Sequence, residues 1–136
     1  MLDLFRRVKR GEVLVSALDR DSTDTGRIVD FLGAPAWMPD GYARVAVQAN
    51  APLLVGFVHE TGDGGVVARF NPPLYPDRSL GKEQAVLDLM RRALQLFEQA
   101  LQVQPEGWHM STPVWRVAPI TRSCWFTCRS SRTLDE

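Results

Sequence analysis

Two short segments set the strongest limit on how this chain folds. Val13–Leu18 and Leu53–Val58 are rich in Val and Leu and do not alternate apolar with polar residues. Strands of this kind are buried on both faces of a parallel sheet, which needs helices on both sides. Between them, residues 41–49 place Tyr42, Val45 and Ala46 on one helical face. The three segments therefore predict a βαβ unit with a right-handed crossover.

The remaining elements follow from periodicity and from residues that end regular structure. The sequence predicts helices over residues 2–10 and 82–103, a short strand over 27–32 that ends at 33–35, and a hairpin strand over 66–71 after the 62–65 turn. The expected fold class is α/β, with a mixed, mostly parallel sheet and flanking helices. Two good helices and one short helix are too few to cover such a sheet, so we expect an incomplete portion of a larger fold with one exposed sheet face or edge.

Composition excludes several classes of function. Sixteen basic residues balance sixteen acidic ones, which argues against nucleic acid as a partner. No apolar run approaches the roughly 18 residues of a membrane-spanning helix. The cations of the N-terminus follow its apolar residues, unlike a secretory signal, so a cytoplasmic protein is expected. Cys124 and Cys128 have no histidine nearby, and no metal site is predicted. Residues 1–116 are expected to form the domain and residues 117–136 an irregular tail.

Several ordered motifs resemble one family. They are Gly11-Glu12, Asp19-Arg20-Asp21, Val29 to Ala36 (VDFLGAPA), Pro39-Asp40-Gly41, Ala51-Pro52, Asn71-Pro72-Pro73-Leu74 and Pro105-Glu106-Gly107-Trp108. Their order and spacing are similar to those of the lipid A biosynthesis lauroyl/myristoyl acyltransferases. That family includes the phosphatidylinositol mannoside acyltransferases and lies within the lysophospholipid acyltransferases. The resemblance covers about residues 1–116 and implies a glycerolipid-acyltransferase-like fold, of which this chain is the C-terminal half.

The resemblance also implies a reaction. Family enzymes transfer an acyl group from acyl-CoA or acyl-carrier protein to a hydroxyl of a membrane lipid, with no other cofactor, at the cytoplasmic face of the plasma membrane. Their base is the histidine of a His-x-x-x-x-Asp/Glu motif. Here the fifth residue after His59 is Gly64, and the fifth after His109 is Val114. No catalytic residue is therefore assigned, and the base and membrane anchor are expected in a missing N-terminal half, with a truncated gene model as one origin.

Five residues are candidates for substrate binding. Asp19 and Arg20 end a predicted buried strand, where ligands of open α/β sheets bind, and Arg20 suits a phosphate. Phe31 and Gly33 are expected to shape the same cleft, and Glu60, which closes the second strand, points to the same sheet edge. Each has a structural alternative: a strand-end charge cluster for the first two, a simple turn for the next two, and no binding role for Glu60.

Three other features favour structural roles. His59 and Glu60 look like a base and its orienting carboxylate, but neighbours in a strand point to opposite faces. Asp40 is expected to cap the 41–49 helix rather than leave its amides free for a phosphate. Trp108 and Trp115 are expected in the core more than at a lipid headgroup surface.

The sequence leaves three hypotheses about function open. The first is an acyltransferase portion that is inactive alone, with a weak preference for a phosphatidylinositol mannoside acceptor. The second is a non-catalytic remnant that binds a lipid or an acyl carrier. The third is a non-functional translation product with an exposed sheet face.

Overall fold

The computed structural model describes residues 2–20, 25–110 and 113–115. This part of the chain contains three α-helices and two antiparallel two-stranded sheets. The helices are α1 (Leu2–Lys9), α2 (Gly41–Ala49) and α3 (Lys82–Val103), and a 3-10 turn follows at Pro105–Gly107. The strands are β1 (Gly26–Phe31), β2 (Ala34–Pro39), β3 (Gly56–Glu60) and β4 (Val66–Phe70). The mixed α/β class is confirmed.

The first hairpin joins β1 to β2 through two residues. Leu32 has φ 52° and Gly33 has φ 79°, the positive values that a two-residue turn of the hairpin type requires. Pairing runs from Phe31 opposite Ala34 to Gly26 opposite Pro39. The expectation that residues 33–35 end regular structure is wrong beyond the turn, because a strand resumes at Ala34. Its prolines are tolerated because both strands of a two-stranded sheet are edges.

The second hairpin, β3–β4, confirms the predicted turn at residues 62–65. The Thr61 amide donates to the Gly65 carbonyl at 2.8 Å, and Gly64 adopts φ 80°. Beyond the hairpin, Leu53 and Leu74 exchange two backbone hydrogen bonds of 2.8 and 2.9 Å. Residues 53–58 therefore pair with the antiparallel chain that follows them.

The three predicted helices are confirmed, and α3 carries the core. Its periodicity places one face against β1 and α2. Asn50 closes α2 in the left-handed conformation at φ 52°. The buried core comprises Val29, Phe31, Ala36, Met38, Tyr42, Ala43, Ala46, Val55, Val86, Leu89, Met90, Ala93, Leu94, Phe97, Leu101 and Val114.

The predicted parallel sheet is wrong. Val13–Leu18 has no strand partner in the described part of the chain, and the other strands pair as local antiparallel hairpins. A hairpin closes a loop of a few residues, whereas a parallel pair needs a long crossover. Local pairing therefore has the smaller entropic cost of loop closure. Among the described residues, Val13–Leu18 therefore has no neighbouring strand with which to form a sheet.

One sheet face is exposed, but it belongs to an antiparallel hairpin and not to the predicted parallel sheet. On the outer face of the β3–β4 hairpin, Val58, Val66 and Phe70 are 67%, 67% and 68% exposed. The two cysteines and the tail from residue 117 onward lie outside the described residues.

Candidate functional site

Asp19 is a predicted site residue whose side chain is held by a hydrogen bond. It follows Leu18, which packs against the core, and its Oδ2 accepts a hydrogen bond of 2.8 Å from the indole Nε1 of Trp108. Trp108 reaches this position because α3 ends before Pro105 and the 3-10 turn reverses the chain. The carboxylate of Asp19 is thereby fixed beside an aromatic wall.

That wall is a cluster of five aromatic rings, which we call the aromatic cluster. Its members are Phe31, Phe57, Phe97, Trp108 and Trp115. Phe31 stacks on Phe97 at 5.5 Å and meets the edge of Trp108 at 5.8 Å. The Trp115 indole Nε1 also donates to the Phe31 carbonyl at 3.3 Å. Trp108 packs against the core, as predicted, whereas Trp115 is 47% exposed although its ring contacts Phe31.

The structure brings two of the five candidate residues into contact with one tryptophan. Asp19 and Phe31 both contact Trp108, so they line one region. Gly33 forms the β1–β2 turn next to it, where the Leu32 amide donates to Glu98 of α3 at 2.6 Å. Arg20 is exposed, and Glu60 is exposed at the turn end of β3, opposite Val66.

The sequence did not predict a second polar cluster. The carboxylate of Asp40 is 1% exposed, and its Oδ2 accepts hydrogen bonds of 2.7 Å from both Arg27 Nε and Arg44 Nε. The carboxylate of Glu83 bridges the same two guanidiniums from the solvent side. Asp40 occupies the N-cap position of α2 but makes no side-chain cap hydrogen bond, so the predicted capping role is wrong. The two arginines compete successfully for its oxygen.

Three members of this Arg27–Asp40–Arg44–Glu83 cluster line an open cleft together with Thr25 and Gly26, and they are Arg27, Asp40 and Arg44. Hydrogen bonds to Asp40 and then Glu83 raise the pKa of Arg27, and the Arg27 hydrogen bond lowers the pKa of Glu83. Two positive and two negative charges neutralise one another. The lowered pKa makes Glu83 a weaker base. The ion pairs of the cluster fix β1 and α3 to the start of α2.

Replacing Asp40 by Asn should destabilise the fold. The charge that holds two guanidiniums disappears, and we expect a loss of about 2 kcal/mol in the free energy of unfolding, since both arginines keep some contact with water. Urea titration followed by circular dichroism measures the loss. Asp88→Asn is the control, because Asp88 forms a more exposed pair with Arg92 at 3.1 Å, for which about 0.5 kcal/mol is typical. Equal losses in the two variants would contradict the interpretation.

Across residues 2–20, 25–110 and 113–115, no group of three or more His, Cys, Asp or Glu side chains is placed to hold a metal ion. In the same ranges, none of the helices combines the length and apolar character needed to cross a bilayer.

Comparison with known proteins decides the family. Residues 1–117 match the family model described as bacterial lipid A biosynthesis acyltransferase. The chain belongs to this acyltransferase family. It is 32% identical over 114 residues to a protein of Mycobacterium tuberculosis named phosphatidylinositol mannoside acyltransferase, a match that covers 82% of this chain and 34% of the relative. A protein of the same name from Mycolicibacterium smegmatis is 33% identical over 112 residues, covering 82% and 35%.

This acyltransferase-family chain therefore spans about a third of the length of the relatives it matches. Within it, His59 is half-buried on β3 and His109 is exposed after the 3-10 turn. In the described part of the chain neither histidine hydrogen-bonds to a carboxylate, and no hydrogen bond joins His59 to Glu60. The described residues of the matched stretch include a fixed aspartate, an aromatic wall and an exposed arginine, and among them neither histidine is paired with a carboxylate.

Proposed function

We propose that this chain contributes the substrate-binding wall of a bacterial acyltransferase. The enzyme moves an acyl group from an acyl-thioester, carried by CoA or acyl-carrier protein, to a hydroxyl of a glycolipid or lysophospholipid at the cytoplasmic face of the plasma membrane. The family match over residues 1–117 carries the proposal. The general base comes from another part of the family domain, because neither His59 nor His109 has the partner spacing of the family motif.

Asp19 and Arg20 form the polar part of this wall. Trp108 holds the Asp19 carboxylate, and the following residue, Arg20, is exposed. A free guanidinium binds phosphate with two parallel N–H donors, and phosphates occur in CoA, in the prosthetic group of acyl-carrier protein and in phospholipid headgroups. Phe31 supports the wall through Trp108, and Gly33 keeps the adjacent turn narrow. Glu60 is proposed to contact the acceptor from the end of β3.

The acceptor follows from the names of the relatives. Both the Mycobacterium tuberculosis and the Mycolicibacterium smegmatis proteins are phosphatidylinositol mannoside acyltransferases, and the match includes the Asp19-Arg20 region within the family model. We propose a hydroxyl of a phosphatidylinositol mannoside as the acyl acceptor.

A covalent chimera tests the proposed function. Residues 1–117 replace the matched stretch of the Mycolicibacterium smegmatis relative, and acyl transfer from acyl-CoA to phosphatidylinositol mannoside is measured in membranes. Turnover by the chimera supports the proposal. A folded, membrane-associated chimera without turnover contradicts it and leaves the non-catalytic binding remnant, which titration of the isolated chain with an acyl-thioester detects directly.

Arg20→Ala in this chimera should weaken substrate binding more than the chemical step. Loss of a charged hydrogen bond to phosphate is worth roughly 1.5–3 kcal/mol, so KM for the phosphate-bearing substrate should rise about tenfold or more while kcat changes less. Steady-state kinetics with each substrate varied in turn identifies which phosphate is bound. Arg91→Ala, at an exposed position of α3, is the matched control and should leave both constants unchanged. Equal effects of the two variants would remove Arg20 from the site.

A further inference from the structure

Arg27 and Arg44 direct their terminal nitrogens at one exposed carboxylate. Arg27 Nη2 donates to Glu83 Oε2, and Arg44 Nη1 donates to Glu83 Oε1 at 3.2 Å. One carboxylate therefore bridges two guanidiniums with one oxygen for each. Two oxygens of a phosphate group can occupy the same positions, because the N–H donors of arginine bind carboxylate and phosphate alike. The chain thus fills an oxyanion site with its own side chain.

The buried carboxylate of Asp40 holds this arginine pair in place. Its Oδ2 accepts a hydrogen bond of 2.7 Å from the Nε of each arginine, and its side chain is 1% exposed. The side chains of Arg27 and Arg44 are themselves 23% and 35% exposed. Both guanidiniums are therefore fixed before a ligand arrives, so less side-chain entropy is lost when an anion binds.

Two helices begin beside the arginine pair. Asp40 immediately precedes α2, and Glu83 lies in the first turn of α3. Neither helix has a side-chain hydrogen bond at its N-cap. The first amides of a helix carry a partial positive charge that favours a nearby anion. Once Glu83 has moved away, the two helix starts and the two arginines together outweigh the negative charge of Asp40.

The second carboxylate oxygen of Asp40, Oδ1, has no hydrogen-bond partner among the described residues. It is buried, whereas nearly all buried acceptors in proteins accept at least one hydrogen bond. Asp40 also lines the open cleft together with Arg27 and Arg44. A hydroxyl that neighbours a bound phosphate can donate to this oxygen, so the arrangement favours a phosphate ester of a polyol over bare phosphate.

We propose that this cleft binds the phosphate of a polyol phosphate ester between Arg27 and Arg44, while a neighbouring hydroxyl donates to Asp40 Oδ1. Glu83 occupies the site in the absence of ligand and leaves when the phosphate enters. Its side chain is 62% exposed, and exposed ion pairs contribute little to stability, so it is readily displaced. Arg20 is not among the residues that line the cleft, which makes this site separate from the phosphate contact proposed for Arg20.

Calorimetric titration of the full 136-residue chain with glycerol 3-phosphate tests the site. Glu83→Gln should bind at least about tenfold more tightly, because the negative charge that competes with the phosphate is removed. A gain of affinity cannot result from misfolding. Glu106→Gln is the matched control: it makes the same charge change at an exposed position outside the cluster, and its affinity should equal that of the unmodified chain. No measurable binding, or equal affinities of the two variants, overturns the proposal.

Arg44→Gln tests the arginine pair itself. It should weaken the binding of glycerol 3-phosphate at least about tenfold, because a charged hydrogen bond to the phosphate is lost. Arg78→Gln is the matched control, since Arg78 is exposed, donates to Asn50 at 2.9 Å and does not line the cleft. Circular dichroism establishes that both variants are folded. Equal affinities of the two folded variants would remove the arginine pair from the site and overturn the proposal.

A comparison of ligands tests the polyol ester. Glycerol 3-phosphate should bind at least about fivefold more tightly than inorganic phosphate, because only the ester offers Asp40 a hydroxyl on a neighbouring carbon. Equal affinities would contradict the hydroxyl contact and overturn the assignment to a polyol ester.

Vesicles distinguish a lipid headgroup from a soluble ester as the source of the phosphate. Tighter binding to phosphatidylinositol vesicles than to phosphatidylserine vesicles of equal charge, reversed by glycerol 3-phosphate, identifies a headgroup. Binding of the soluble ester alone identifies a soluble ligand. Equal binding to both kinds of vesicle, with none to glycerol 3-phosphate, shows only a general attraction between charges and overturns the proposal.

This proposal is independent of the proposed function, because phosphate binding by the isolated chain requires no acyl transfer. An inactive chimera would contradict the proposed function and leave the titrations unchanged. Absence of binding by the isolated chain would overturn the phosphate site and leave turnover by the chimera as support for the acyltransferase.

Discussion

The isolated 136-residue chain will not transfer an acyl group, whichever acyl-thioester and lipid it is given. A lipid hydroxyl is a poor nucleophile near neutral pH, and a positioned general base contributes about 10²–10⁴-fold to such a reaction. His59 and His109 have Gly64 and Val114 where the family motif places a carboxylate. In the described ranges neither histidine is oriented by an acid, and turnover should stay at background.

Three carboxylates of the candidate site already accept hydrogen bonds or ion pairs. Trp108 donates a hydrogen bond to Asp19, and two arginines hold Asp40. The hydrogen bond from Arg27 lowers the pKa of Glu83, which makes that carboxylate a weaker proton acceptor.

The assay compares the purified chain, its His59→Ala and His109→Ala variants and the covalent chimera. All three forms of the isolated chain should give the same background rate, and the chimera provides the positive control. Turnover by the isolated chain that disappears in either histidine variant would place the catalytic centre within this chain and contradict the proposed division of labour.

Local signals predicted most of the secondary structure correctly. The apolar periodicity of 82–103 ends at Pro105, and the helix is Lys82–Val103. The glycine-rich turn at 62–65 predicted the β3–β4 hairpin in the same way. These elements depend on residues close in sequence, so tertiary context did not override them.

The prediction of a parallel sheet was wrong because the pairing of a strand depends on which partners are present. Val13–Leu18 has the composition of a strand buried on both faces, and the structure leaves Val13 90% exposed. The pattern describes the surroundings that the segment requires, whereas its observed state depends on what is present to pair with it.

The contacts of the candidate site were likewise predictable only where they depend on residues close in sequence. Asp19 was found because it ends an apolar segment, but its partner Trp108 lies 89 residues away and has no sequence signal that links the two. Asp40 and Arg44 are four residues apart, a spacing at which helical side chains are neighbours, so the sequence could have predicted their ion pair. Arg27 joins them only because the first hairpin brings β1 beside the start of α2, a geometry that sequence pattern does not fix.

Phe31→Ala should produce the largest loss of stability of any single substitution in the aromatic cluster. Phe31 is fully buried, stacks on Phe97 at 5.5 Å and contacts Trp108 at 5.8 Å, so truncation leaves a cavity lined by rings that cannot collapse. A buried Phe→Ala change costs about 3–5 kcal/mol, which is comparable with the whole stability of many small domains. Equilibrium urea unfolding, followed by far-ultraviolet circular dichroism, measures the loss.

Phe70→Ala is the matched control, because Phe70 is the same residue type but is 68% exposed on the outer face of β4. Its truncation should change the free energy of unfolding by about 0.5 kcal/mol or less, the usual range for surface substitutions. The near-ultraviolet circular dichroism of the tryptophans provides a second measurement: it should weaken in Phe31→Ala, since Trp108 loses its ring partner, and persist in Phe70→Ala. Similar losses in the two variants, or an unchanged tryptophan signal in Phe31→Ala, would mean that the aromatic cluster neither stabilises the fold nor holds Trp108 against Asp19.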